Sequence, residues 1–424
     1  MKRRLTILAL ALLLAAGSAS AASEKVLWNF SNMNGDGEGG GTSLVFDQQG
    51  NLYGSAAGGT NATGLIFELS PNGSGGYSET ILYEFNVYGT GDGSGPQGLI
   101  FDRQGNLYGA TNTGGKNGTG TVFELSPKSG GGWAETILYS FGVKGGDGNY
   151  PGGRLVMDAA GNFYGTTSQG GRKHLGTVFE LSPKSGGRWK ETILHNFRGQ
   201  NGGDGASPEA GLSVDAAGNL YGITSSGGDG PPECTYDGGC GIVFKLTHEA
   251  GGTWKETLLH AFATSGKDGW APESSNVAID QNGNLYGTTA LGGGGRANRG
   301  NGIAWELVYS ARNHSYSYRV IHTFRADKGD GWSPRNGITI GPSGSFYGTT
   351  DLGGGNQNCG DGCGTVFELM QAKNKEWTEQ ILYSFTGDVS STPSGLIQDG
   401  AGNLYGMTSA GGTYNEGVVF EVTP

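Results

Sequence analysis

Two tryptophans, Trp270 and Trp332, each stand two residues after an aspartate, Asp268 and Asp330, in the phrase Asp-Gly-Trp. An aromatic face beside a carboxylate is a common way to hold a sugar or a peptide, by stacking plus a few directed hydrogen bonds. Tyr236 and Asp237, and Arg296 with Arg299, lie in glycine-rich stretches expected to be close by. A carboxylate pair drawn from Asp237, Asp268 and Asp330 would also suit glycoside cleavage, provided the carboxyls stand about 5 to 9.5 Å apart. These residues therefore raise two expectations: a binding module for a glycan or peptide, and a polysaccharide-active enzyme. A structural cell-envelope protein with no small ligand is a third.

The four cysteines come as two close pairs, Cys234 with Cys240 and Cys359 with Cys363. In an exported chain such spacing favours local disulfides, although four cysteines allow three connectivities. A zinc site made of all four thiolates is the alternative, but neither pair has the C-x2-C spacing of zinc ribbons. No Gly-Lys-Ser/Thr phosphate loop, G-x-S-x-G elbow, nucleophile–base pairing or metal-ligand cluster stands out, so no cofactor or metal is expected.

Export is expected from the first residues. Lys2, Arg3 and Arg4 precede an apolar run from Leu5 to Ala16, and Ala19-Ser20-Ala21 matches a small-residue cleavage site, placing the mature start at Ala22. The run is shorter than the roughly 20 apolar residues that span a bilayer, so no transmembrane anchor is expected and the location is secreted, extracellular or periplasmic. Without residues 1–21 the chain carries 24 basic against 38 acidic residues, a net charge of −14. That balance argues against nucleic acid, whose phosphates require a basic stripe. Nothing indicates the oligomeric state.

The elements that must position these side chains are set by repetition. Gly-Asn-Leu-Tyr-Gly begins at 50, 105, 218, 283 and 402, with Gly-Asn-Phe-Tyr-Gly at 161 and Gly-Ser-Phe-Tyr-Gly at 344. Seven units of about 58 residues leave no room for an unrelated domain. In the second unit, Leu99-Ile100-Phe101-Asp102, a turn, and Leu107-Tyr108-Gly109 read as a hairpin of strands A and B. Thr121-Val122-Phe123-Glu124-Leu125 follows as strand C, and Trp133 to Phe141 as strand D. Adjacent apolar residues within these strands imply burial on both faces.

The two ends of the chain are complementary, because Lys25 to Phe30 aligns with strand D whereas the last unit stops after strand C at Val418 to Val422. The fold class is therefore all-β: a seven-bladed β-propeller over 22–424, closed by the N-terminal strand beside the last blade. The combination of Gly-Asn-Leu-Tyr-Gly, Gly-Thr-Val-Phe-Glu-Leu at 176–181 and Glu-Thr-Ile-Leu at 191–194 resembles the bacterial choice-of-anchor, GloVer-containing tandem-repeat proteins. The resemblance spans the mature chain and implies an exported or surface location without naming an activity. The chain ends at Pro424 without the apolar tail of anchored members, which points to release.

Recurrence also supplies a control: a slot that every unit fills with similar chemistry is read as structural. His195, His260 and His322 share the strand D slot of Tyr83, Tyr139 and Tyr383, so they are expected to pack between blades. The aspartates of Asp-Gly-x-x-Pro, at 92, 147, 204, 268 and 330, read as turn residues, with a ring of cation-binding carboxylates as the alternative. What departs from the pattern is one sector. The span from the last Gly of the phrase to the aromatic of strand C is 13 or 14 residues in four units but 22, 18 and 19 in the fourth, fifth and sixth. Both cysteine pairs lie in those loops, and Trp270 and Trp332 precede the fifth and sixth units, so the loop face of blades 4 to 6 is the expected binding surface.

Overall fold

The computed structural model describes residues 22–424 apart from 34, 42–43, 88–90, 229–233, 235–237, 265–266, 274–275, 295–299, 327–328, 343, 356–358 and 388–390. The expected leader lies outside the described residues. Blade 3 shows the plan: strands A (Gly148–Met157), B (Phe163–Gly170), C (Thr177–Lys184) and D (Arg188–Asn196) pair in that order, all antiparallel. Seven such blades form the ring. The seventh is completed by Ser23–Asn29, which pairs antiparallel with Val418–Thr423, so the fold is the expected closed seven-bladed β-propeller.

The repeated phrase is explained atom by atom in the A-to-B turn. Asp102 accepts the backbone N–H groups of Gln104 and Asn106 on Oδ1, and the Asn106 amide and Tyr108 hydroxyl on Oδ2. Gly105 sits between them at φ +87°, where a side chain would be strained. The second Gly of the phrase answers to packing: a Cβ on Gly54 would stand 2.5 Å from Cζ of Phe67 on strand C. Blade 6 confirms the logic, since Gly341 replaces the aspartate and Ser345 replaces its asparagine partner together.

Blade-to-blade packing repeats as strictly as the turns. A phenylalanine ending strand D meets the aromatic of strand C in the next blade at all seven seams. The pairs run Phe30–Phe67, Phe85–Phe123, Phe141–Phe179, Phe197–Phe244, Phe262–Trp305, Phe324–Phe367 and Phe385–Phe420, with ring centroids 5.1 to 5.9 Å apart. Each ring is at most 1% exposed. Edge-on aromatic pairs contribute about 0.5–1.5 kcal/mol beyond their burial, so the ring as a whole is a main source of cohesion. Every C–D ladder also carries a register shift at one slot, such as Val122/Phe123, which sharpens the twist that lets flat sheets radiate from an axis.

Strand A is interrupted in most blades. In blade 5 it comprises Gly269–Trp270 and Ala278–Ile279, and in blade 6 Gly331–Trp332 and Thr339–Ile340. Trp270 and Trp332 thus lie in the first half of the inner strand, opposite Leu291 and Leu352, rather than in the preceding loops. A two-residue segment has no alternation for a sequence pattern to register.

Candidate functional site

The Asp-Gly-x-x-Pro aspartates face the blade seams. Asp92 accepts the Tyr83 hydroxyl at 2.9 Å and the Gly93 N–H at 2.6 Å, and Asp147 accepts the Tyr139 hydroxyl at 3.0 Å. Asp204, fully buried, accepts His195 Nε2 at 3.1 Å and Arg198 Nε at 3.2 Å. Burial opposes ionisation of Asp204, but the bonds from His195 and Arg198 outweigh it and hold the carboxyl below its usual range. Asp268 accepts His260 Nε2 at 3.3 Å, the Gly269 N–H at 2.8 Å and the Tyr318 hydroxyl at 2.6 Å. Asp330 accepts the Arg325 N–H at 2.8 Å.

A glutamate from strand D of the following blade completes most of these stations, and two carboxyls then share one partly buried space. Burial, followed by the charge of the neighbouring aspartate, pushes Glu79 up to about 8, Glu135 to about 7 and Glu191 to about 8. Such pairs hold one proton between them. In blade 5 the slot is Tyr318, stacked on His260 at 3.7 Å, so Asp268 has no second carboxyl.

Trp270 packs half-buried against the cluster containing Cys234, Cys240, Phe262 and Trp305, beside the Cys234–Cys240 disulfide. Trp332 packs against the cluster around Phe324, and its indole N–H donates to the Asp361 carbonyl inside the loop closed by Cys359–Cys363. Each ring therefore braces a disulfide-closed loop. Both cysteine pairs are bridged within themselves, with Cα atoms 5.0 and 5.3 Å apart. Tyr236, Asp237, Arg296 and Arg299 lie outside the described residues, and so does any pairing of Asp237 with Asp268 or Asp330.

The enclosed space that several blades build together is on the axis. The inner edges of six blades line a cavity of about 270 Å³ through Gln97, Arg154, Glu209, Asn276, Asn336 and Gly395 among others. A second cavity of about 440 Å³ shares Gln97 and Glu209 with it and adds Asn112, Tyr150, Ser168 and Gln169. Among the described residues Glu209 is the one carboxylate lining either space.

Arg154 is the notable member. The slot before the buried aliphatic of strand A holds Gly98, Gly211, Gly337 and Gly395 in four blades, Ser43 in one and Asn276 in another. The glycines suit a crowded axis: a Cβ on Gly211 would stand 2.4 Å from the Arg154 carbonyl. In blade 3 a guanidinium occupies the slot instead. Arg154 keeps contact with water along the channel while being hemmed in by the blades, and that desolvation lowers its pKa. No hydrogen bond or ion pair engages its guanidinium among the described residues. By contrast, Arg198 is paired with Asp204, Arg319 with Glu306, and Arg335 with Glu273 and Asp351. The signal for Arg154 was present in the repeat, but in a slot that other blades fill with glycine rather than in one rich in acids, histidines or aromatics.

A family model described as the Gloeobacter/Verrucomicrobia repeat matches residues 18–231 and 233–424. The chain belongs to that family. No curated protein matches the chain. Among solved structures, this member of the repeat family is similar to an ulvan lyase of a new polysaccharide lyase family, with a TM-score of 0.57 at 10% identity over 93% of this chain and 95% of that one. It is also similar to the polysaccharide lyase Uly1, at 0.55 and 9% over 90% and 89%. A puromycin hydrolase mutant matches at 0.50 and 12% over 89% of this chain and 50% of that one. At these identities the likeness is one of fold, and a fold of this kind hosts several chemistries.

Proposed function

We propose that this member of the Gloeobacter/Verrucomicrobia repeat family is an exported propeller that binds an acidic saccharide along its axis, with Arg154 as the anion contact. The observation that carries the reading is an unpaired guanidinium in a slot otherwise held by small residues, inside a cavity lined by Gln97, Asn276 and Asn336. A guanidinium that lines the channel and carries no protein partner among the described residues is available to a bound carboxylate or sulfate, which it can take with bidentate geometry. The amide side chains supply hydrogen bonds of the kind that orient sugar hydroxyls.

Two further facts support this reading. One of the lyases sharing the fold is described bound to a repeating unit containing glucuronate and sulfated rhamnose, -[GlcA(1-4)Rha3S]-. The two disulfides are compatible with an extracellular location, where such polymers occur. Trp270 and Trp332 brace the two disulfide-closed loops in the sector where the repeat is most modified. Among the described residues Glu209 is the one carboxylate lining either space, which favours binding over hydrolysis by a carboxylate pair.

The test uses Arg154→Gly, which installs the residue four other blades carry. Titration calorimetry with uronate and neutral oligosaccharides should show wild-type binding to the acidic ligand and at least tenfold weaker binding by the variant. Equal affinity in both proteins, or equal affinity for neutral sugars, overturns the reading.

A further inference from the structure

The seam between blades 5 and 6 differs from its counterparts in how its polar groups are satisfied. His322 from strand D of blade 5 (Ser315–Thr323), Asp330 from the following loop and Glu379 from strand D of blade 6 (Trp377–Ser384) converge there. The same positions hold Tyr83, Asp92 and Glu135 at one seam and Tyr139, Asp147 and Glu191 at the next, where the tyrosine hydroxyl donates directly to the aspartate. At the seam of blades 3 and 4 the trio is His195, Asp204 and Glu256, closed by a 3.1 Å contact from His195 and by Arg198.

At the blade 5–6 seam the histidine is not closed onto the carboxylates. His322 Nε2 is buried without a hydrogen-bond partner, 3.5 Å from Glu379 Oε2 and 4.0 Å from Asp330 Oδ2. Those separations are long for hydrogen bonds. They are close to what a metal requires, because ligand atoms at about 2.0–2.1 Å from a tetrahedral zinc lie about 3.4 Å from one another. The three ligand atoms all fall within 4.8 Å of one another, so a small contraction would bring them onto one ion.

We propose that His322, Asp330 and Glu379 form a site for a divalent transition metal of the zinc class, one imidazole and two carboxylates, with a fourth position left to water. The side chains keep 19%, 15% and 11% of their surface accessible, so an ion can reach them from solvent. Arg325 opposes a cation here, but its side chain is exposed, where solvent screens its charge. A metal here would tie blade 5 to blade 6 beside Trp332 and the Cys359–Cys363 loop, within the sector where the repeat is most modified.

The full chain, stripped with a chelator, is titrated with zinc chloride by calorimetry, with thermal melting in parallel. His322→Tyr installs the side chain found at three other seams, so it should fold, and His195→Tyr makes the same change at the closed trio. The expected result is one zinc per chain, bound at least tenfold more weakly after His322→Tyr or Glu379→Gln and unchanged by His195→Tyr. Absence of zinc binding, or binding that His322→Tyr leaves intact, overturns the assignment.

Discussion

Phe30, which follows the first strand, packs edge-on against Phe67 of blade 1 with ring centroids 5.4 Å apart, the same contact that Phe85 makes with Phe123 one seam later. The junction where the ring closes is thus built like the junctions where the chain runs on. Phe30→Ala removes a fully buried ring and should cost about 3–5 kcal/mol. Urea unfolding followed by tryptophan fluorescence checks this, and a loss below about 1 kcal/mol would show that closure does not depend on the seam.

The turn carboxylates set the acid limit of stability. Burial works against ionisation of Asp158, Asp215 and Asp399, but the bonds from their asparagine, tyrosine and backbone N–H partners prevail and lower their pKa values. A depressed carboxylate stabilises the fold above its unfolded value of 3.8, and that stabilisation is lost as pH falls through the folded value. Melting temperature should fall steeply below about pH 4, and Asp158→Ala should cost about 1–3 kcal/mol at pH 7. An Asp158→Ala protein that melts like the parent at pH 7 would refute this role.

The seam glutamates have the opposite sign. Glu79, Glu135 and Glu191 are raised to about 8, 7 and 8 by burial and by Asp36, Asp92 and Asp147, with Lys144 partly offsetting the effect at Glu191. A raised group stabilises the fold fully below its unfolded value of 4.5 and loses that contribution as pH rises through the folded value. Stability should therefore decline between about pH 5 and pH 8. Glu79→Gln, which cannot ionise, should flatten the decline, and melting curves across that range read the effect.

Each disulfide closes a short loop. Chain entropy assigns such a bridge about 2 kcal/mol, so Cys359→Ser with Cys363→Ser should lower the urea midpoint modestly and leave the protein folded. Loss of the whole far-ultraviolet signal in that variant would mean that the blade 6 loop carries more of the fold than its size implies.

How far the sequence revealed all this depends on whether a feature recurs. The blade count, the strand order and the pairing of Ser23–Asn29 with Val418–Thr423 were legible because each rests on a pattern present many times. Trp270 and Trp332 were legible as departures, but the short half-strands that hold them carry no periodic signal, so their packing onto the loops was not. Arg154 was visible only by asking what stands where other blades have glycine. The His322, Asp330 and Glu379 trio joins residues of two blades, and its spacing depends on how those blades dock.

Strand Ser23–Asn29 has consequences for the order in which the protein can form. Its ladder partner, Val418–Thr423, is synthesised only after every other blade, so the backbone edge of the strand remains unpaired until the end. Bringing such distant segments together costs about 3 kcal/mol more in loop entropy than closing a short hairpin. Folding should accordingly be slow, with a late step in which the circle locks, and the waiting strand is the part of the chain most in need of protection from other copies.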